Sequence, residues 1–190
     1  DGNNSSGATG TNYTTSFIEN GAAVAIGDVD VLITDTDSTN INSAVITLTN
    51  AQAGDVLATG TLPAGITATV VGNVVTLAGS STLANYQAAI RAITFNNTSD
   101  NPSTIARTLT VVVSDGALNS NTATTTVNVT AVNDPPVARD DTNAASEDGT
   151  TTLTVSAANG VILSNGNAAT RDTDAEGNTL GVLPLLTALD

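Results

Sequence analysis

"TATVVGNVVTL", residues Thr67 to Leu77, sets two β-branched runs on either side of Gly72-Asn73. That pair has the composition of a two-residue hairpin turn, because both turn positions tolerate a positive φ. Working outward, "AVITLTN" alternates Ala44, Ile46 and Leu48 with Val45, Thr47 and Thr49, as a half-buried strand does. Further upstream, "VAIGDVDVLIT" over residues 24–34 predicts a strand broken or bulged at Gly27, where the apolar residues change parity. Downstream, Leu83, Tyr86, Ile90 and Ile93 in "TLANYQAAIRAI" recur at spacings of three and four. They predict a short amphipathic helix crossing between strands, with Ser81 or Thr82 as its cap. "RTLTVVVSDG" and "TATTTVNVTAV" then supply two closing strands.

From Pro135 the pattern restarts with "TTLTVS", "GVIL" and "TLGVL", too few strands to close a sandwich before Asp190. The expected organisation is a flexible linker over residues 1–12 and an all-β, antiparallel Greek-key β-sandwich over 13–134 with one short crossover helix. Residues 135–190 read as the N-terminal part of a second sandwich unit, truncated or completed by another chain.

Composition narrows the function. The 190 residues carry 18 acidic and four basic side chains, a formal net charge of −14, and all four cations are arginines. Phosphate backbones are unsuitable partners for such a surface. No histidine or cysteine is present, so the usual zinc and copper ligands, disulfides and thiol chemistry are excluded. Without lysine no Lys isopeptide crosslink can form. No run approaches the ~18 apolar residues of a membrane helix. Abundant Thr, Ser, Asn, Gly and Asp without Cys or Lys matches the bias of large bacterial surface proteins.

The acidic residues gather at strand ends: "FIENG", "TDTDS", "VSDG" and "VNDPP". In an antiparallel sandwich the loop after the second strand and the loop before the last lie at one end, so Asp35, Asp37 and Asp115 are expected to converge. Glu19 belongs to the opposite end, with Asn133 and Asp134. "RDTDAEG" repeats the spacing of "TDTDS" and offers Asp172 and Asp174. Calcium takes six to eight hard oxygen ligands in adaptable geometry and suits such sets. Pro135-Pro136 stiffens the connection. Asp115-Gly116 also suits a plain turn, and Asp28 and Asp30 read as a solvated face of their strand.

Glu19, the D-x-D of "TDTDS", the "SDG" turn and the N-D-x-P of "VNDPP" in this order resemble a cadherin-type repeat. "LANYQAAIRAITF" and "PPVARDDTNAASEDGTTTLTV" are similar to bacterial cadherin-like tandem repeats of large adhesins. The resemblance runs from Tyr13 onward. It implies a cadherin/Ig-like fold with calcium at Glu19, Asn133, Asp134, Asp172 and Asp174, and at Asp35, Asp37 and Asp115. It also implies that Glu147, placed like Glu19, serves a following joint. The acidic mid-domain motif of animal cadherins is missing, since "LANYQ" offers only Asn85 and Gln87.

Three functions follow as expectations. The first is a calcium-binding extracellular or cell-surface repeat module, acting as an adhesion or rigid extender segment next to neighbouring repeats. The second is a subunit of an extracellular filament or surface layer built by strand complementation between like subunits. The third is a module for surface polysaccharide, which is hard to build when Phe17, Tyr86 and Phe95 are core candidates and only Tyr13 is left for stacking. No nucleic-acid partner, no membrane insertion and no enzymatic activity are expected, since His, Cys, a Lys base and a G-x-S-x-G elbow are all missing.

Overall fold

The predicted hairpin forms as β5 (Thr67–Val71) and β6 (Val74–Thr82), paired antiparallel with Val71 opposite Val74 around Gly72, whose φ is 53°. The computed structural model describes residues 5–138, 173–178 and 180. It divides into two compact units, Asp1–Val132 and Asn133–Asp190.

In the first unit, β1 (Tyr13–Ile18), β3 (Asn40–Leu48), β8 (Arg107–Ser114) and β9 (Ala123–Thr130) join the hairpin in a six-stranded sheet of order β1-β9-β8-β3-β6-β5. A three-stranded sheet of order β2-β7-β4 is built from β2 (Val24–Ala25), β4 (Asp55–Thr59) and β7 (Ile93–Asn97). The result is an all-β sandwich. Its larger sheet is mixed, because β1 runs parallel to β9, with Phe17 beside Val129.

The helix α1 (Leu83–Arg91) carries the chain from one sheet to the other. Thr82 caps it, its hydroxyl accepting from the Asn85 N–H at 3.3 Å, and Tyr86, Ala89 and Ile90 form the buried face. The Tyr86 hydroxyl donates to the Gly79 carbonyl at 2.8 Å. Gly79 has φ 125°, and a Cβ there would lie 2.0 Å from the Gly65 carbonyl oxygen, so no larger residue fits. Ile46, Leu77, Ile93, Leu109 and Val127 fill the interior, and Phe17 meets Phe95 edge to face at 5.7 Å between centroids. Phe17, Tyr86 and Phe95 are fully buried, as their place in the pattern suggests.

The segment after β2 departs from the expected strand. Regular pairing stops at Ala25, and residues 26–39 run irregularly with Val29 and Leu32 exposed. Asp28, read from alternation as solvated, is buried. Its carboxylate accepts from the Val29 N–H at 2.6 Å and the Ser5 hydroxyl at 3.1 Å. A side chain that captures neighbouring backbone amides offers the chain an alternative to a ladder, and here that alternative prevails.

The second unit is described over its first residues and a turn. Val137 and Thr173 form an antiparallel bridge, with N–H to O distances of 2.7 and 3.1 Å. The strands expected at "TTLTVS" and "GVIL", most of "TLGVL", and Asp140, Asp141, Glu147 and Asp148 lie outside the described residues.

Candidate metal centre

Asp35 and Asp37 lie within the irregular segment of residues 26–39, and Asp115 follows β8. Each of the three offers a carboxylate oxygen, and these oxygens lie within 4.8 Å of one another. The pairing of β3 with β8 explains the convergence: Ser43 stands opposite Ser114, so the chain entering β3 and the chain leaving β8 meet at one end of the sheet. β3 shifts register between Ile41 and Ser43, and at this bulge Asn42 turns toward the Asp115 loop. Gly116, φ 98°, packs so close that a Cβ would lie 2.3 Å from the Asn42 Nδ2.

Two similar loops present the carboxylates. Asp35 Oδ1 accepts from the N–H groups of Asp37 and Ser38, at 3.1 and 2.9 Å. Asp115 Oδ1 accepts from those of Ala117 and Leu118, both at 2.8 Å. Each aspartate thus closes its own turn with one oxygen. The Ser38 hydroxyl ties the loops together by donating to Asp115 Oδ2 at 3.1 Å. Asp115 is therefore a turn residue and a member of the cluster at once.

Electrostatics separates the three. Asp35 is held below the ordinary carboxylate range by the Ser38 N–H, then by the Asp37 N–H. Asp115 is lowered by the N–H groups of Leu118 and Ala117, then by the Ser38 hydroxyl. Asp37 moves the other way, raised first by the hydrogen bond its carboxyl shares with Asp35 and then by the charge of Asp35. No arginine among the described residues forms an ion pair with any of them. Without a bound cation the charge of Asp35 thus favours the protonated form of Asp37. The loops border a cleft of ≈ 640 Å³ with apolar walls that include Val31, Ile33, Val111 and Val113.

Other expected ligands fall in both units. Glu19 follows β1, where its Oε2 accepts from the Val132 N–H at 2.7 Å and its Oε1 has no hydrogen-bond partner among the described residues. In the second unit Asn133 bonds to the Asp134 carbonyl and to Asn178, each at 3.0 Å. Asp174 turns inward to its own loop, accepting from the N–H groups of Glu176 and Asn178 at 3.1 and 2.9 Å. Asp172 lies outside the described residues. Glu176, not singled out by the D-x-D spacing, accepts from the Asp134 N–H at 3.2 Å and keeps Oε2 without a partner among the described residues. Its only signal in the sequence was its place two residues beyond Asp174, where the closing of the Asp174 turn brings it back. Ser38, the link between the loops of the first unit, was likewise visible only as the last letter of "TDTDS".

Asp55 and Arg107 form a different polar site, which sequence reading missed. Arg107 Nε lies 2.8 Å from Asp55 Oδ2, and both side chains are fully buried. The guanidinium also donates to Asp55 Oδ1 at 3.2 Å, to the Ser103 carbonyl at 2.7 Å and to the Ile105 carbonyl. Asp55 accepts from Asn97 Nδ2 and from the Gln52 N–H, both at 2.7 Å.

Among the described residues no helix is long and apolar enough to cross a membrane. Comparison of the chain with protein-family models, curated proteins and solved structures finds no match.

Proposed function

We propose that the first unit is a calcium-binding module, acting as an adhesion or rigid extender segment of a larger extracellular, cell-surface protein. The observation that supports this best is the meeting of Asp35, Asp37 and Asp115 with no cationic side chain paired to them among the described residues, on loops already fixed by their own backbone. Loops ordered in advance lose little entropy when an ion binds. Carboxylate oxygens that keep lone pairs for a cation after accepting these hydrogen bonds are hard ligands of the kind calcium takes, with room for waters in a flexible shell. An extracellular setting fits, since sites of modest affinity fill at the calcium concentrations found there, Kd ~10⁻⁴ to 10⁻³ M. The resemblance to cadherin-like repeats adds the extender role, and the absence of a surface aromatic cluster disfavours polysaccharide as the main ligand.

Calorimetry on the full chain tests the reading. Calcium at millimolar concentration is expected to give a saturable heat that magnesium, which demands a stricter octahedron, reproduces weakly. Asp35→Asn/Asp37→Asn should weaken the calcium isotherm by at least ~10-fold, the lower end of what even an outer-shell change costs a metal site. No heat with calcium, or equal affinity for magnesium, overturns it.

A further inference from the structure

Charge is distributed unevenly along the chain. Between Asp37 and Arg91 there is one charged side chain, Asp55, and it is buried against Arg107. β3, β5, β6 and most of α1 fall in this interval, so one side of the large sheet is uncharged in a molecule of net charge −14. That side ends at β5, which pairs with β6 and with no other strand among the described residues.

Sheet edges in soluble proteins are usually blunted by charge, proline, bulges or shortness. The opposite edge of the same sheet is partly occupied, as the Thr14 N–H of β1 donates to the Ser6 hydroxyl at 3.1 Å. β5 has five residues, Thr-Ala-Thr-Val-Val, with no charge, proline or register shift, and Val70 and Val71 are 42% and 70% exposed. The closing pair of a two-residue hairpin is hydrogen-bonded, so Val71, Thr69 and Thr67 aim their amides at β6, and Ala68 and Val70 aim theirs outward. No described residue forms a hydrogen bond with those outward groups.

We infer that β5 is the seam of an isologous dimer, in which two copies of this chain pair β5 with β5 antiparallel about a two-fold axis at Thr69. In this register Ala68 and Val70 exchange both main-chain bonds with Val70 and Ala68 of the other copy. Thr69 faces its own symmetry mate, and Thr67 faces Val71. Every cross-strand pair is then β-branched or small and apolar, the kind that stabilises antiparallel ladders. Self-association through any acidic face would bring like charges together. The β5 edge is where two copies meet without that repulsion, and their large sheets become continuous. A five-residue seam is small, so the dimer is weak in free solution and gains strength where copies are tethered close together.

Sedimentation of the full chain tests the seam. The average mass is expected to rise from 18.8 kDa toward twice that value, across roughly 10 µM to 1 mM, a range suited to an interface below the standard size. Val70→Pro removes an outward N–H and no β6 bond, so it should leave melting nearly unchanged and keep the protein monomeric. The chain has no cysteine, which allows a direct test of register. Thr69→Cys places two sulfurs across a non-hydrogen-bonded pair, Cα to Cα ~4.5 Å, within disulfide range, and should crosslink at least tenfold faster than Thr67→Cys. Both results should be the same in calcium and in chelator, so the seam stands or falls independently of the metal reading. A monomer throughout this range, a dimer unaffected by Val70→Pro, or equal crosslinking at positions 67 and 69 overturns it.

Discussion

Asp55 and the Asp35, Asp37, Asp115 cluster solve the same electrostatic problem with different materials. At Asp55 the cation is part of the chain: Arg107 meets the carboxylate with two nitrogens, and Asn97 and the Gln52 N–H supply further donors. At the cluster three carboxylates share backbone amides and one serine hydroxyl, with no arginine among the described residues paired to them. The first site is closed and fully buried, so its charges depend on each other and on the hydrogen-bonding groups around them. The second is open to water, and there the hydrogen bond and charge of Asp35 raise the pKa of Asp37. An internal cation makes a permanent clasp, and its absence makes a site whose state follows the surrounding solution.

The largest expected effect breaks the clasp. Asp55→Ala leaves a buried guanidinium without its counter-charge and should lower unfolding free energy by roughly 3–5 kcal/mol. Urea denaturation measures this, and calcium should not restore it. A loss below ~1 kcal/mol would mean that solvent reaches Arg107 and that the two sites do not differ in kind.

A smaller effect is expected when the cluster is filled. An ion bound only by the folded state stabilises it in proportion to ln(1 + [L]/Kd). Melting in excess calcium should therefore exceed melting in chelator by several degrees, and Asp35→Asn/Asp37→Asn should remove most of the difference. Calorimetric scans of both proteins provide the check. An equal shift in the double variant would place the stabilising ion elsewhere.

The two sites also differ in how far they could be read from sequence. The cluster was legible because the topology of a sandwich dictates which loops share an end, and "TDTDS" and "VSDG" mark those loops with aspartate. The hairpin at Gly72-Asn73 and the helix around Tyr86 were legible from local periodicity and turn chemistry. The clasp was not. Asp55 and Arg107 are 52 positions apart, and a buried ion pair leaves no periodic trace. The irregular course of residues 26–39 was hidden for another reason: "DVDVLIT" alternates as a strand does, yet Asp28 bonds the next amide and leaves the ladder. Glu176 was missed because spacing alone favoured Asp172 and Asp174, while the Asp174 carboxylate is used within its own turn.

The smallest expected effect is the most diagnostic, because its sign reverses with calcium. Asp37 has its folded pKa raised by Asp35, so the folded state holds that proton more tightly than the unfolded chain does. Ionising Asp37 therefore works against the fold. This penalty is absent well below the ordinary carboxylate pKa, grows as pH rises toward the raised value, and is fully present at neutral pH. Asp35 and Asp115 are lowered, so their contributions are present above the ordinary value and are lost as pH falls through their folded values. In chelator, acidification from neutral pH should first raise the melting temperature slightly, as the Asp35–Asp37 pair takes its proton, and then lower it. Asp37→Asn removes the initial rise and should melt slightly higher than the parent at neutral pH in chelator. In calcium the same variant lacks a charged ligand and should melt lower than the parent. Melting curves for both proteins in both buffers, repeated across the acid range, decide the point. A variant that melts lower than the parent in both buffers by the same amount would make Asp37 a purely structural loop residue, and no difference in either would leave the three carboxylates as solvated charges.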